Sequence, residues 1–202
     1  MCNRGGVNVD EKTCFDKDDL VNYVINQYKQ KISMNISPLK LQKSLYLLFA
    51  MWGGNAAMIN EDIDKGQGTI ELTDKVSTLL FDANFEAWRY GPVDVDVYDR
   101  YKENGYQGDI HFLTDLTTVS QDFLNISMPF IDSVLEQIFD INDFSLVSIT
   151  QEDKVWKSAN KDNKNLVMNN EDVIKEYKEK LGKRRIYDKR KNTSSSGQRH
   201  IV

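Results

Sequence analysis

The chain has 202 residues, 40% of them hydrophobic and 28% charged, with a net charge of −5. That length is one ordinary domain, and it buries about 70% of its unfolded surface, so a core needs neither disulfide nor metal. The acidic balance argues against sequence-independent DNA binding, which runs on phosphate neutralisation, and the longest apolar run, residues 45–52, is too short to span a bilayer.

The N-terminal stretch has no apolar signal region, so a cytoplasmic protein is expected, with Cys2 and Cys14 as reduced thiols. Residues 1–16 lack hydrophobic periodicity, contain Gly5-Gly6 and read as a flexible leader. Asp16 or Asp18 then caps a predicted helix to about Lys31, with Leu20, Val21, Val24, Ile25 and Tyr28 on one face. Ser37 followed by Pro38 is a strong helix start. That helix carries Leu41, Leu45, Leu48 and Trp52 on one face, widened by Tyr46 and Phe49, and is expected at the centre of the core. Gly53-Gly54 is expected to end it. Residues 55–79, with the Gly66-Gln67-Gly68 turn, read as an elaborated surface loop.

Residues 94–102 resume helical spacing, and Gly105 and Gly108 mark a loop. A further helix is predicted over residues 127–139, starting at Ser127-Met128-Pro129. Asp143 or Ser145 caps a short one carrying Leu146 and Ile149. Residues 166–168 suit a short strand, and Asn169 or Asn170 caps a last helix ending near Gly182. From Lys183 onward there are seven Lys or Arg against Asp188 alone, giving a tail of about +6 on a body of about −11. Residues 183–202 are expected to be disordered. The class is mainly α: a compact domain of six or more helices over residues 17–182, with at most a small β-sheet.

Three blocks stand out. The first holds Lys40, Leu41, Gln42, Lys43, Leu45 and Tyr46. The second is Glu86, Ala87, Trp88, Tyr90, Gly91, Pro92 and Val93, with Tyr98 following. The third holds Thr150 and Trp156. Together they resemble the Panacea (SocA-like) antitoxin domain family, over about residues 20–180. The family usually has Leu where this chain has Ser44, His where it has Gln151, and a shorter connection in place of residues 55–79. The resemblance implies an antitoxin that neutralises a cognate protein toxin by direct stoichiometric binding, with phage or prophage carriage and an antidefence role as further implications. A proteolytic adaptor working with a ClpXP-type protease is the alternative it also implies.

Chemistry-bearing motifs are scarce. No phosphate loop, dinucleotide fingerprint, zinc-protease helix or nucleophile elbow occurs, and the histidines are His111 and His200. Asp94, Asp96 and Asp99 lack the Gly and Glu that an EF-hand needs at its sixth and twelfth positions. No enzyme activity, cofactor or metal is expected. Glu86 is expected to make a structural hydrogen bond beside the Gly91-Pro92 turn. Trp and Tyr dominate interface energetics, so Trp88, Tyr90, Tyr98 and Tyr101 are the candidate partner-binding residues, rimmed by Asp94, Asp96 and Asp99. Such a rim steers a basic protein partner. Nucleic acid is expected at most through the basic tail, as a regulator reading of another class.

Overall fold

A computed structural model describes residues 13–67, 75–106 and 121–196. Cys2, the Gly5-Gly6 pair, Gly68, Gly108, His111 and His200 lie outside them. The described residues form seven α-helices and one two-stranded sheet: α1 (Lys17–Ile32), α2 (Pro38–Asp64), β1 (Phe85–Trp88), β2 (Gly91–Asp94), α3 (Val95–Lys102), α4 (Gln121–Phe139), α5 (Asp143–Gln151), α6 (Lys154–Ala159) and α7 (Asn170–Ser196). The mainly α expectation holds.

Helix starts follow local chemistry. The Asp16 carboxylate accepts from the backbone N–H of Asp18 and Asp19, and the Ser37 hydroxyl accepts from Lys40 N, with Pro38 opening α2. Asn142, rather than Asp143 or Ser145, caps α5 by accepting from Ser145 N. Asn169 accepts from Asp172 N at the start of α7, 3.1 Å away.

The central helix departs from expectation. Gly53-Gly54 does not end α2, which runs 27 residues to Asp64. The two glycines let α7 approach. A Cβ on Gly53 would lie 2.5 Å from Ile174 Cγ1, and one on Gly54 would lie 2.7 Å from the Lys178 nitrogen. Close helix packing, not a cap, selects Gly there. The expected loop at residues 55–79 is therefore helical through Asp64. Its far end is pinned back on α2, where the Asn60 side chain donates to Val76 O at 2.8 Å and accepts from Val76 N at 2.9 Å.

Three other expectations change. Of the expected leader, only residues 13–16 are among the described residues, and these are held: the Cys14 N–H bonds Leu79 O, and the N–H of buried Phe15 bonds Leu80 O. α4 begins before Pro129 and runs through it, and Pro129 itself is exposed. α7 passes Gly182 into the basic segment, with Lys178 paired to Glu61 and Arg185 to Asp62 along the lengthened α2. Its Lys-, Arg- and Glu-rich run has high helix propensity, so residues 183–196 are helix rather than disordered tail.

The core lies around α2, which touches α1, α3, α4, α5, α7 and the hairpin. Trp52, Tyr46, Phe49, Phe81 and Phe85 are its largest fully buried rings. Tyr46, Phe49 and Phe81 meet Phe85 edge-on at centroid distances of 5.3, 5.8 and 6.1 Å. The ring of Phe85 thereby fixes the root of the hairpin to the core.

Candidate interaction site

The second sequence block is the hairpin itself. β1 and β2 pair antiparallel, from Phe85 opposite Asp94 to Trp88 opposite Gly91, leaving Arg89-Tyr90 as the turn. Gly91 has φ +93°, and a Cβ there would lie 2.5 Å from Thr150 Oγ1 and 2.8 Å from Lys43 Cε. Backbone angle and space both demand glycine. Residues 166–168 add a third run beside β1, with Ala87 N bonded to Leu166 O and Met168 N to Phe85 O. The predicted strand at 166–168 is thus a short bridge.

The other blocks hold this hairpin. Its outer edge needs partners for the polar groups that no neighbouring strand takes. From α2, Lys43 Nζ donates to Pro92 O at 2.9 Å. Gln42 makes a two-way bond with the Asp94 backbone, accepting from its N–H at 2.8 Å and donating to its carbonyl at 3.3 Å. From the third block, Trp156 Nε1 donates to Trp88 O at 3.2 Å, and Gln151 Nε2 donates to Arg89 O at 2.8 Å. Gln151 stands where the family usually has His, and its amide supplies the N–H an imidazole would supply. Asn160 donates to Ala87 O at 2.5 Å; the sequence reading missed it, and no spacing in the chain marks it. Thr150 is fully buried and bonds back to its own helix at Leu146 O and Val147 O. Its role is to fill the space that Gly91 leaves.

Lys43 is the least usual group here. It is 1% exposed, and burial pushes its ammonium down to about 7. Ser44, where the family usually has Leu, is fully buried with its hydroxyl unbonded. A second buried cluster sits behind the hairpin's root. Asp153 accepts from Tyr46 OH at 2.6 Å and from Tyr177 OH at 3.0 Å, and pairs with Lys180. Burial, reinforced by that carboxylate, raises both phenols.

The residues expected to meet a partner divide. Trp88 is half-buried: it packs edge-on against Tyr98 at 5.2 Å, and its Nε1 donates to Glu86 at 2.8 Å. Glu86 thus makes the structural bond expected of it. Tyr90 is 59% exposed at the turn, beside the Arg89 guanidinium, and Arg89 is itself an exposed tip residue that the sequence reading passed over. Tyr101 is half-buried and donates to Ile36 O. Asp94 is no rim carboxylate. It is fully buried, caps α3 through Val97 N, accepts from Asn84 N, and pairs with Lys17 at 3.1 Å. Helix capping claims it before solvent does. Asp96 and Asp99 are exposed. The rim is therefore two carboxylates, not three.

Residues 71–157 match the family described as antitoxin SocA-like, Panacea domain. The matched stretch spans the hairpin and the α5 residues that hold it, so the resemblance carried by the second and third blocks is borne out. It ends before α7 and begins after the Lys40–Tyr46 block of α2, yet that block closes the hairpin's outer edge. Neither a curated protein nor a solved structure matches the chain. The match supports an antitoxin-family role. No helix among the described residues is long and apolar enough to cross a membrane.

Proposed function

We propose that the protein is the antitoxin half of a toxin–antitoxin pair, neutralising a cognate protein toxin in the cytoplasm by direct stoichiometric binding. The observation that carries this reading is the hairpin: a rigid turn clamped on its outer edge, its β1 side and its tip, presenting Arg89 and Tyr90 outward with the Trp88–Tyr98 pair beside them. A preorganised aromatic turn loses little entropy on binding, and Tyr, Trp and Arg are the usual anchors of interfaces. Asp96 and Asp99 favour a toxin surface that is basic opposite them. The antitoxin family match supports the role.

Two potential nucleophiles support binding without turnover. Lys43 is closed behind Pro92 and Thr150. Burial pushes the Cys14 thiol up to about 12, where almost no thiolate exists at neutral pH.

Co-expression with the product of the adjacent gene tests the reading. Growth rescue should saturate at about one antitoxin per toxin, with a complex that co-purifies. Tyr90→Ala should weaken the complex by about tenfold or more while changing stability by less than about 0.5 kcal/mol. Rescue at strongly substoichiometric amounts refutes direct binding. If that rescue vanishes in a ClpXP-deficient host, the protein is a proteolytic adaptor.

A further inference from the structure

Thr150 and Gln151 face the hairpin, but Ile149, one position earlier on α5, lines a groove on another side of the body. The groove runs between α2, α4, α5 and α7 and encloses about 320 Å³. Its walls are aliphatic: Leu47, Met51, Ile138, Ile149 and Leu181 all contribute. Ile149 is 42% exposed, unusual for an isoleucine facing a concave apolar surface. Apart from Arg184 at one end, the polar groups at the groove are already engaged. Asp153 is held by Tyr46, Tyr177 and Lys180, and the Gln137 amide donates back to Ser133 O at 2.9 Å. A small-molecule site needs a few convergent polar groups to orient its ligand, and these are not free to do so. One end of the groove is cationic. Arg184 lines it, is exposed and makes no ion pair among the described residues, and exposed Lys183 precedes it. On a chain of net charge −5 this is a local reversal of sign.

We infer that this groove seats an amphipathic helical segment of the partner protein, its apolar face against Ile149 and Leu181 and its acidic residues beside Arg184. The inference rests on the reading that the protein works by binding another protein. A groove floored by helices and rimmed by charge accepts a helix through residues spaced three and four apart. The charge at its rim selects acidic over basic segments. The hairpin and the groove are then two contacts of one partner, carried on consecutive residues of α5.

The test uses the full chain and a fluorescein-labelled peptide of about 18 residues, five helical turns. The peptide is built from Leu, Ala and Glu, with Leu on one face. A Lys-for-Glu analogue and a scrambled peptide of the same composition serve as comparisons, and binding is read by fluorescence anisotropy. The Glu peptide should bind saturably, the Lys analogue about tenfold or more weaker, and the scrambled peptide not at all. Ile149→Glu and Arg184→Glu should each weaken the Glu peptide about tenfold. Arg184→Glu touches no structural bond, so its melting temperature should stay at the wild-type value and its effect should report the groove alone. Failure of the Glu peptide to bind, equal binding of the scrambled peptide, or binding unchanged in both variants overturns the inference. Co-expression separates the two proposals. Peptide binding without growth rescue by the wild type removes the antitoxin reading and keeps the groove, whereas rescue without peptide binding removes the groove and keeps the reading.

Discussion

Gly91→Ala puts the hairpin's construction to a quantitative test. A side chain at φ +93° leaves the region L-residues occupy, at a cost of about 1–2 kcal/mol. The added methyl would also sit 2.5 Å from Thr150 Oγ1 and 2.8 Å from Lys43 Cε. Neither neighbour yields readily. Thr150 is buried and bonded to α5, and Lys43 is anchored on Pro92 O. Overpacking of that kind costs about 1–3 kcal/mol, so the whole substitution should cost about 2–5 kcal/mol. Gly66→Ala provides the matched reference, because Gly66 has φ +67° and nothing within 4 Å of an added Cβ. It should cost the strain alone, about 1–2 kcal/mol. Urea titrations of the two variants and the wild type give both values, and the difference isolates the contact with Thr150 and Lys43. If Gly91→Ala is no worse than Gly66→Ala, Thr150 and Lys43 do not press on the turn and the described clamp is wrong.

Lys43→Met should remove a pH dependence. Lys43 gives up its proton near pH 7 when folded and near 10.4 when unfolded, so wild-type stability should rise relative to the variant from pH 7 to pH 9, by up to about 1.4 kcal/mol per unit; parallel curves would refute this. Trp88→Ala should cost about 2 kcal/mol in denaturant titrations, below the 3–5 kcal/mol of a fully buried ring, because the indole is half-buried against Tyr98. Gln151→His should leave the melting temperature nearly unchanged, since an imidazole N–H can replace the amide donor to Arg89 O, while Gln151→Ala should lose about 0.5–1 kcal/mol. Ser44→Ala should stabilise by about 1 kcal/mol, because it removes a buried hydroxyl that bonds nothing and improves helix propensity; a destabilised variant in the same titration would mean that the hydroxyl has a partner.

Much of the site was legible as sequence, but its logic was not. The second block announced a tight turn through Gly91-Pro92 and set Trp88, Tyr90 and Tyr98 beside it. The purpose of Lys43 could not be read from α2 alone: a lysine on a helix looks like a solvated cation until the hairpin's outer edge arrives to need a donor. Asp94 shows the same limit. As one of three nearby aspartates it reads as rim charge, and only the meeting of β2, α3 and Gln42 turns it inward.

Local chemistry, acting within a few residues, therefore fixed the helix starts at Asp16 and Ser37 and the mainly α class. Tertiary packing decided where the elements stop. Gly53-Gly54 carries every local mark of a helix end, yet α7 needs that close approach and α2 continues for ten residues beyond Gly54. The basic segment after Gly182 has no apolar face to order it, but the lengthened α2 lies alongside and pairs with it at Asp62. A glycine's permissiveness allows a cap, a turn or a close contact equally; which of these it serves depends on a neighbour that is more than a hundred residues away in the chain.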